Sequence, residues 1–279
     1  MRTVSNLVSV IITTKNEQEV LERLLRSIKN QTYQNLEIIV VDNNSNDRTK
    51  QLAKGYTDKI YDFGPERSAQ RNYGAGKSKG KYLFFLDADM ELTSNVLKEC
   101  LHLVRKNNTI KGVVVPENSV ALSFWGKVKS FERSFYNEQG DETTDAARFF
   151  DKEIFWKVGG YDTSMTGPED WDLPETIKKM GFKIGRVKAK ILHHERISNP
   201  LSLAKKKFYY AKSTYKYLKK HDIPIFGPKT IYFLRPVFYK NFKRILAHPI
   251  LSAAMVAMLS AELAGGALGY LVGRLGRNE

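Results

Sequence analysis

The chain has 279 residues, with 45 lysines and arginines against 30 acidic residues and a formal net charge of +15. At 42% hydrophobic and 27% charged it is not a disordered chain, a collagen-like repeat or a multi-span membrane protein, and its length fits about two domains of roughly 150 residues. A lone cysteine, Cys100, excludes an intrachain disulfide and a multi-cysteine zinc site and fits a reducing compartment. The run Val8 to Ile12 is too short for a secretory leader and continues into polar Thr13 and Thr14.

In chain order, Leu7 to Ile12 reads as a buried strand, and Glu19 to Asn30 as a helix with Val20, Leu21, Leu24, Leu25 and Ile28 on one face. Leu36 to Val41 is a second strand, and a short helix follows from about Asp47 to Lys54. Ile60 to Phe63 is a third strand, Ser68 to Lys77 a helix, and Lys81 to Leu86 a fourth strand ending at Asp87. Asn95 to Lys106 is helical and Gly112 to Pro116 strand-like. This alternation predicts a parallel α/β sheet.

Ligands of such sheets bind beyond the carboxyl ends of the strands. Those ends carry Thr13 to Glu17, Asp42 to Asp47, and Asp87-Ala-Asp89. Period-two geometry points Asp87 and Asp89 to one side if the extended backbone persists, and paired carboxylates suit Mg²⁺ or Mn²⁺ carrying a phosphate substrate. Gly74 to Ser78 is not a phosphate-binding P-loop, because Arg71 stands where its first glycine is needed. The clustered lysines come without a finger, heptad or RNP-like pattern, so no nucleic-acid partner is expected.

Four segments in order and spacing resemble family 2 glycosyltransferases of the GT-A nucleotide-sugar-binding fold: Val10 to Glu17, Val40 to Thr49, Arg67 to Gly74 leading into Lys81 to Asp89, and Gly159-Gly-Tyr-Asp162 followed by Glu169 to Leu173. Thr13 and Lys15 replace the proline and tyrosine usual in the first motif, and Asn43 replaces the second aspartate of the second. The resemblance implies donor-nucleotide binding by Thr13, Thr14, Glu17, Asp42, Arg71 and Asp87. It implies a metal, Mn²⁺ or Mg²⁺, at Asp89 with His193 or His194. Adjacent residues on a strand face opposite ways, so one of the two histidines at most reaches it. Asp170 stands where the family has the general base of an inverting transfer; the competing role is an N-terminal acid opening the amphipathic segment Trp171, Leu173, Ile177, Met180. Glu169, Trp171, Lys207 and Lys212 fall on the acceptor and phosphate side. The Gln-x-x-Arg-Trp motif of processive synthases is missing, which implies single sugar transfer.

From Pro249 to Gly273 the one charged residue is Glu262, and the length suffices for a transmembrane helix. Small residues recur every fourth position (Ala253, Ala257, Ala261, Gly265, Gly269, Gly273), a ridge fit for close helix approach and a helix-mediated oligomer. Ahead of it, residues 223–246 mix aromatic and basic side chains and are split by Pro224, Pro228 and Pro236, as in amphipathic helices at an anionic membrane surface. The expected organisation is a GT-A catalytic domain over 1–220, basic interfacial helices over 221–248, and a transmembrane helix with its tail over 249–279. The expected function is metal-dependent, inverting transfer of one sugar from a nucleoside-diphosphate sugar to a lipid-linked acceptor, a polyprenyl phosphate or diphosphate glycan, at the cytoplasmic face of the cell membrane. The alternatives are a polyprenyl-phosphate sugar synthase and, in another class, a non-catalytic membrane scaffold.

Overall fold

The computed structural model describes residues 6–137, 140 and 145–276. In chain order the first elements are β1 (Val8–Thr14), α1 (Leu21–Lys29), β2 (Leu36–Asp42), α2 (Thr49–Lys54), β3 (Ile60–Asp62), α3 (Arg67–Lys77), β4 (Tyr82–Asp87), β5 (Met90–Leu92), α4 (Val96–Lys106) and β6 (Ile110–Val114). There follow β7 (Glu117–Val120), α5 (Phe124–Asn137), β8 (Ala147–Asp151), α6 (Lys152–Lys157), α7 (Glu169–Lys179), β9 (Lys183–Arg186) and β10 (Ile191–His194). The remainder is helical: α8 (Pro200–Ala211), α9 (Thr214–Lys220), a 3₁₀ turn at Tyr232–Leu234, α10 (Pro236–Lys240), α11 (Phe242–Ala247) and α12 (Pro249–Leu275).

The chain divides into two compact units. The first comprises the residues through Glu117, Ala146–Thr163 and Glu169–His193; the second comprises Asn118–Asp145, Ser164–Pro168 and the residues from His194 on. The last three residues of the predicted tail, 277–279, lie outside the described residues.

In the first unit a seven-stranded sheet has the order β3-β2-β1-β4-β8-β6-β9. β1 pairs parallel with β2 and β4, bringing Thr14 opposite Asp42 and Thr13 opposite Asp87. The sheet is therefore mostly parallel, but β8 runs antiparallel to both β4 and β6. Both faces are covered, as parallel strands demand. Val8, Val10 and Ile12 face α1 and α4, while Ile11, Val41 and Phe85 face the layer of α3, α6 and α7. On α1 the periodic residues Leu21, Leu24, Leu25 and Ile28 are all buried, each worth roughly 1.5–3 kcal/mol. On α3, Gly74 abuts Ile11 and Val41, and a Cβ there would lie 2.5 Å from the Ile11 side chain. The glycine of the third motif is thus what lets this helix lie against β1 and β2.

A second sheet has the order β5-β10-β7; β10 pairs antiparallel with β5, with His193 opposite Met90. The second unit is built on Val128, Phe131 and Phe135 of α5, Leu203 of α8, Phe238 of α10, and Met255, Met258 and Leu259 of α12.

The ridge of small residues does not stay on one face of α12. A four-residue step turns 400°, so the row drifts about 40° per step around the helix. Ala253 and Ala257 are exposed, whereas Gly265 and Gly269 are buried. A Cβ on Gly265, Gly269 or Gly273 would sit 2.2, 2.1 or 2.0 Å from the carbonyl oxygen of Ala204, Phe208 or Lys212. The close approach predicted for the ridge is therefore made by α8 of the same chain.

Candidate active site

The loops after β1 and β2 are stitched together. The Thr14 hydroxyl donates to Asp42 Oδ1 at 2.8 Å, and the Ser45 amide and hydroxyl donate to the same carboxylate at 2.6 Å each. The Asn16 amide donates to Ser45 Oγ at 2.7 Å and the Glu17 amide to Thr49 Oγ1 at 2.8 Å. Asn16 and Asn44 take φ of 54° and 50°, a left-handed conformation that asparagine tolerates. Asp42 is fully buried, so its carboxylate shapes the loop from inside. Thr13, Thr14 and Glu17 join it in this strand-end frame.

Beyond β4 the extended backbone does not persist. Ala88 and Asp89 form a turn, so Asp87 and Asp89 meet different partners instead of sharing one side. Asp87 lies among three guanidinium groups. Arg71 Nη2 donates to its Oδ1 at 3.0 Å, and Arg148 Nη1 and Arg67 Nη1 lie 3.6 and 3.9 Å from its Oδ2. The Thr13 hydroxyl adds a weak contact at 3.5 Å. Burial alone would raise the Asp87 pKa, but the charges of Arg71, Arg67 and Arg148 outweigh it and hold the carboxyl well below the usual aspartate range.

Arg71 is fully buried on α3. Its Nη1 donates to Asp170 Oδ1 at 2.6 Å and lies 3.7 Å from Glu169 Oε1, and its guanidinium stands 5.0 Å from the centre of the Tyr161 ring. Arg67 Nη2 donates to Glu169 Oε1 at 3.1 Å. Burial, then the neighbouring Asp170 charge, raises the Glu169 pKa against the pull of the two arginines. Glu169 Oε2, also buried, has no hydrogen-bond partner among the described residues.

The third and fourth motifs are physically one device. Asn72 Nδ2 donates to the Tyr161 carbonyl at 2.8 Å, and the Tyr161 amide donates to Asn72 Oδ1 at 2.9 Å. Gly159 and Gly160 adopt φ of 92° and 72°, positions open to glycine, and a Cβ on Gly160 would lie 2.8 Å from Asn72 Oδ1. The paired glycines thus deliver Tyr161 to Asn72 and set its ring beside Arg71.

Asp89 faces β10. His193 Nε2 lies 3.3 Å from Asp89 Oδ2, and His193 Nδ1 lies 3.0 Å from Glu117 Oε2. Of the two candidate histidines it is His193 whose ring reaches Asp89. Glu117 is held in turn by Arg148, whose Nη2 donates to its Oε1 at 2.6 Å. A continuous chain of charged groups therefore runs from Asp89 through His193, Glu117, Arg148, Asp87 and Arg71 to Asp170. No cluster of three His, Cys, Asp or Glu side chains able to hold a metal occurs among the described residues. One carboxylate oxygen and one imidazole nitrogen fit a divalent cation whose remaining positions are filled by phosphate oxygens and water, a mixed set suited to Mn²⁺.

Some predicted residues have other neighbours. Trp171 is half-buried on α7, and the fully packed apolar residues of that helix are Leu173 and Ile177, while Met180 is exposed. Lys207, in the second unit, donates to the Tyr232 hydroxyl at 2.5 Å and lies 3.6 Å from Glu262 Oε2. Lys212 is exposed at the end of α8, its ammonium 4.9 Å from the Phe208 ring centre. Glu117 and Arg148 escaped sequence reasoning. Arg148 did leave a signal, a cation inside the apolar run Ala146 to Phe150, which in a buried strand needs an anionic partner.

Comparison with solved structures places this architecture among nucleotide-sugar-binding GT-A folds. A mannosyltransferase of Pyrobaculum calidifontis in complex with GDP-Man and Mn²⁺ superposes with a TM-score of 0.58 at 20% identity, covering 99% of this chain and 81% of that one. S. aureus TarS 1–349 in complex with UDP-GlcNAc superposes with a TM-score of 0.54 at 15% identity over 96% of this chain and 92% of that one. The profile of glycosyl transferase family 2 matches residues 9–159, just over half of the chain, and the chain belongs to that family.

Among curated relatives, a GalNAc(5)-diNAcBac-PP-undecaprenol beta-1,3-glucosyltransferase of Campylobacter jejuni is 38% identical over 99 residues, 32% of this chain. A glycosyltransferase of Rickettsia typhi is 29% identical over 215 residues, 69% of this chain. The matches span 31% and 63% of those relatives' own lengths.

Proposed function

We propose that the chain transfers a single sugar, with inversion, from a nucleoside-diphosphate sugar to a lipid-linked acceptor at the cytoplasmic face of a membrane. The observation that carries this reading is the position of Arg71, buried and paired with Asp87 at 3.0 Å and Asp170 at 2.6 Å. One guanidinium so placed couples a strand-end carboxylate, where donors bind in such sheets, to the carboxylate proposed as general base.

In this reading the loops from Thr13 to Glu17 and from Asp42 to Ser45 receive the nucleoside, with Asp87 on the ribose side. Part-exposed Arg67 faces the diphosphate, with the charge of buried Arg71 behind it, and the two draw its negative charge toward the site. Asp170 then accepts the proton of the acceptor hydroxyl while that oxygen attacks the anomeric carbon, and the nucleoside diphosphate departs from the opposite side. Asp89 and His193 would hold a divalent ion, with Glu117 orienting the imidazole. Such an ion supplies charge stabilisation to the leaving diphosphate. Trp171 and Glu169 are assigned to the acceptor side.

The lipid-linked acceptor is supported by the undecaprenol-linked substrate in the name of the Campylobacter relative and by the apolar, basic C-terminal segment. The test is a thermal-shift panel of nucleoside-diphosphate sugars with and without Mn²⁺, since a bound ligand raises apparent stability. A shift for one donor, enhanced by Mn²⁺, supports the reading; no shift for any donor contradicts it.

A further inference from the structure

α12 is long and apolar enough to cross a bilayer, with 27 residues and, over an 18-residue stretch of it, a mean hydropathy of 1.6. Its surroundings in the second unit argue for a different placement. One face, carrying Met255, Met258, Leu259, Glu262, Gly265 and Gly269, is buried. The opposite face exposes Val256, Leu263, Leu268, Leu271, Val272 and Leu275. This inverts the polarity of a water-facing surface helix, since the charge is inside and the aliphatic side chains are outside.

Glu262 stands at the middle of the helix and is almost fully buried. Lys129 Nζ of α5 donates to its Oε1 at 2.8 Å, and Lys207 Nζ of α8 lies 3.6 Å from its Oε2. A crossing helix would carry these charges to the bilayer centre or leave Glu262 there without them, and either is costly. α8, against which Gly265, Gly269 and Gly273 are fitted, also exposes Lys205 and Lys206 and would have to enter hydrocarbon alongside.

The segments ahead of α12 also expose apolar side chains. Tyr239 of α10, Phe242 and Leu246 of α11, and Ile250 at the start of α12 are exposed. Residues 200–276 hold thirteen lysines and arginines against two acids, and one of those acids is the buried Glu262. A second copy of the chain would bring like charges together on this surface, whereas an anionic lipid leaflet complements them.

We infer that α12 lies in the plane of an anionic bilayer leaflet, its exposed apolar face in the acyl boundary, and does not cross it. This rests on the membrane reading above. The test uses the full chain carrying Gly276→Cys and sealed vesicles of phosphatidylcholine, with or without phosphatidylglycerol, added from outside. Buried Cys100 is the unreactive internal reference.

The expected result is flotation with the anionic vesicles, together with full labelling of residue 276 by a membrane-impermeant maleimide before detergent is added. Leu268→Glu combined with Leu271→Glu, both at exposed positions, lowers vesicle binding at least about tenfold and leaves the donor thermal shift unchanged. Flotation with residue 276 protected until detergent is added means that α12 crosses, and overturns the inference. An oligomer that the double substitution dissociates means that the face covers a second copy, and overturns it too. No flotation with either vesicle refutes the membrane reading itself, while the donor panel still stands or falls separately.

Discussion

Arg71 donates from Nη1 to Asp170 Oδ1 at 2.6 Å and from Nη2 to Asp87 Oδ1 at 3.0 Å, with none of its own side chain exposed. A buried cation held between two carboxylates is asymmetric in its consequences, because removing it takes the 2.6 Å partner from Asp170 and leaves Asp87 with the more distant Arg67 and Arg148. Arg71→Met should therefore destabilise the first unit by about 3–5 kcal/mol, read by chemical denaturation. Arg71→Lys keeps the charge but loses the planar fork, and should fold while weakening both donor affinity and turnover.

Asp170→Asn keeps the size and an acceptor oxygen for Arg71 but cannot take a proton as a carboxylate does. Turnover should fall by about 10²-fold or more with donor affinity little changed. If Asp170 only supports the start of α7, turnover in steady-state assays will stay near normal.

Asp89→Ala and His193→Ala should each abolish the Mn²⁺-dependent part of nucleoside-diphosphate binding, measured by calorimetry. Glu117→Gln, one contact further out at His193, should weaken Mn²⁺ affinity by about 10–100-fold without removing it. Equal Mn²⁺ dependence in all three variants would refute this assignment.

Acid stability carries the mark of Asp87. Its pKa in the folded chain is depressed, so its contribution is fully present above the ordinary value of 3.8 and is lost as the pH falls through the lower folded value. The unfolding free energy should decline as the pH drops below about 3.8, and Asp87→Asn should decline less steeply over that window. Matching slopes in pH-dependent denaturation would mean that the three guanidinium groups do not hold this carboxylate.

Gly269→Val tests the fit of α12 on α8. Its Cβ would lie 2.1 Å from the Phe208 carbonyl oxygen, a backbone atom that cannot swing aside, and the melting temperature should fall. Gly266→Ala has nothing within 4 Å of the new Cβ and should be neutral or stabilising by about 0.5–1 kcal/mol through helix propensity.

The strand and helix order of the first unit was legible because each element carries its own period. Val8 to Ile12, Leu36 to Val41 and Tyr82 to Leu86 are apolar runs that parallel strands buried on both faces require. The end of β4 was not legible, since Asp89 after the turn meets His193, 104 residues away, and no residue near Asp87 announces that contact.

Arg148 and Glu117 were missed for the same reason: each acquires meaning from partners on other strands. β8 inserts antiparallel between β4 and β6, so chain order gives no hint of its neighbours. On α12 the four-residue row of small side chains was visible, but its drift toward α8 is a property of the folded helix pair. Glu262 reads in sequence as a flaw in an apolar helix; in the structure Lys129 and Lys207 neutralise it.

The most direct test is transfer itself. Purified chain, Mn²⁺ and the donor selected by the thermal-shift panel are incubated with polyprenyl-diphosphate-linked glycans, and the lipid fraction is read by mass spectrometry alongside an Asp170→Asn control. The account predicts that the wild-type chain adds one sugar residue, and no more, to the lipid-linked glycan, and that the control adds essentially none. Addition of many residues, transfer at the wild-type rate by the control, or no modified lipid despite tight donor binding would contradict it.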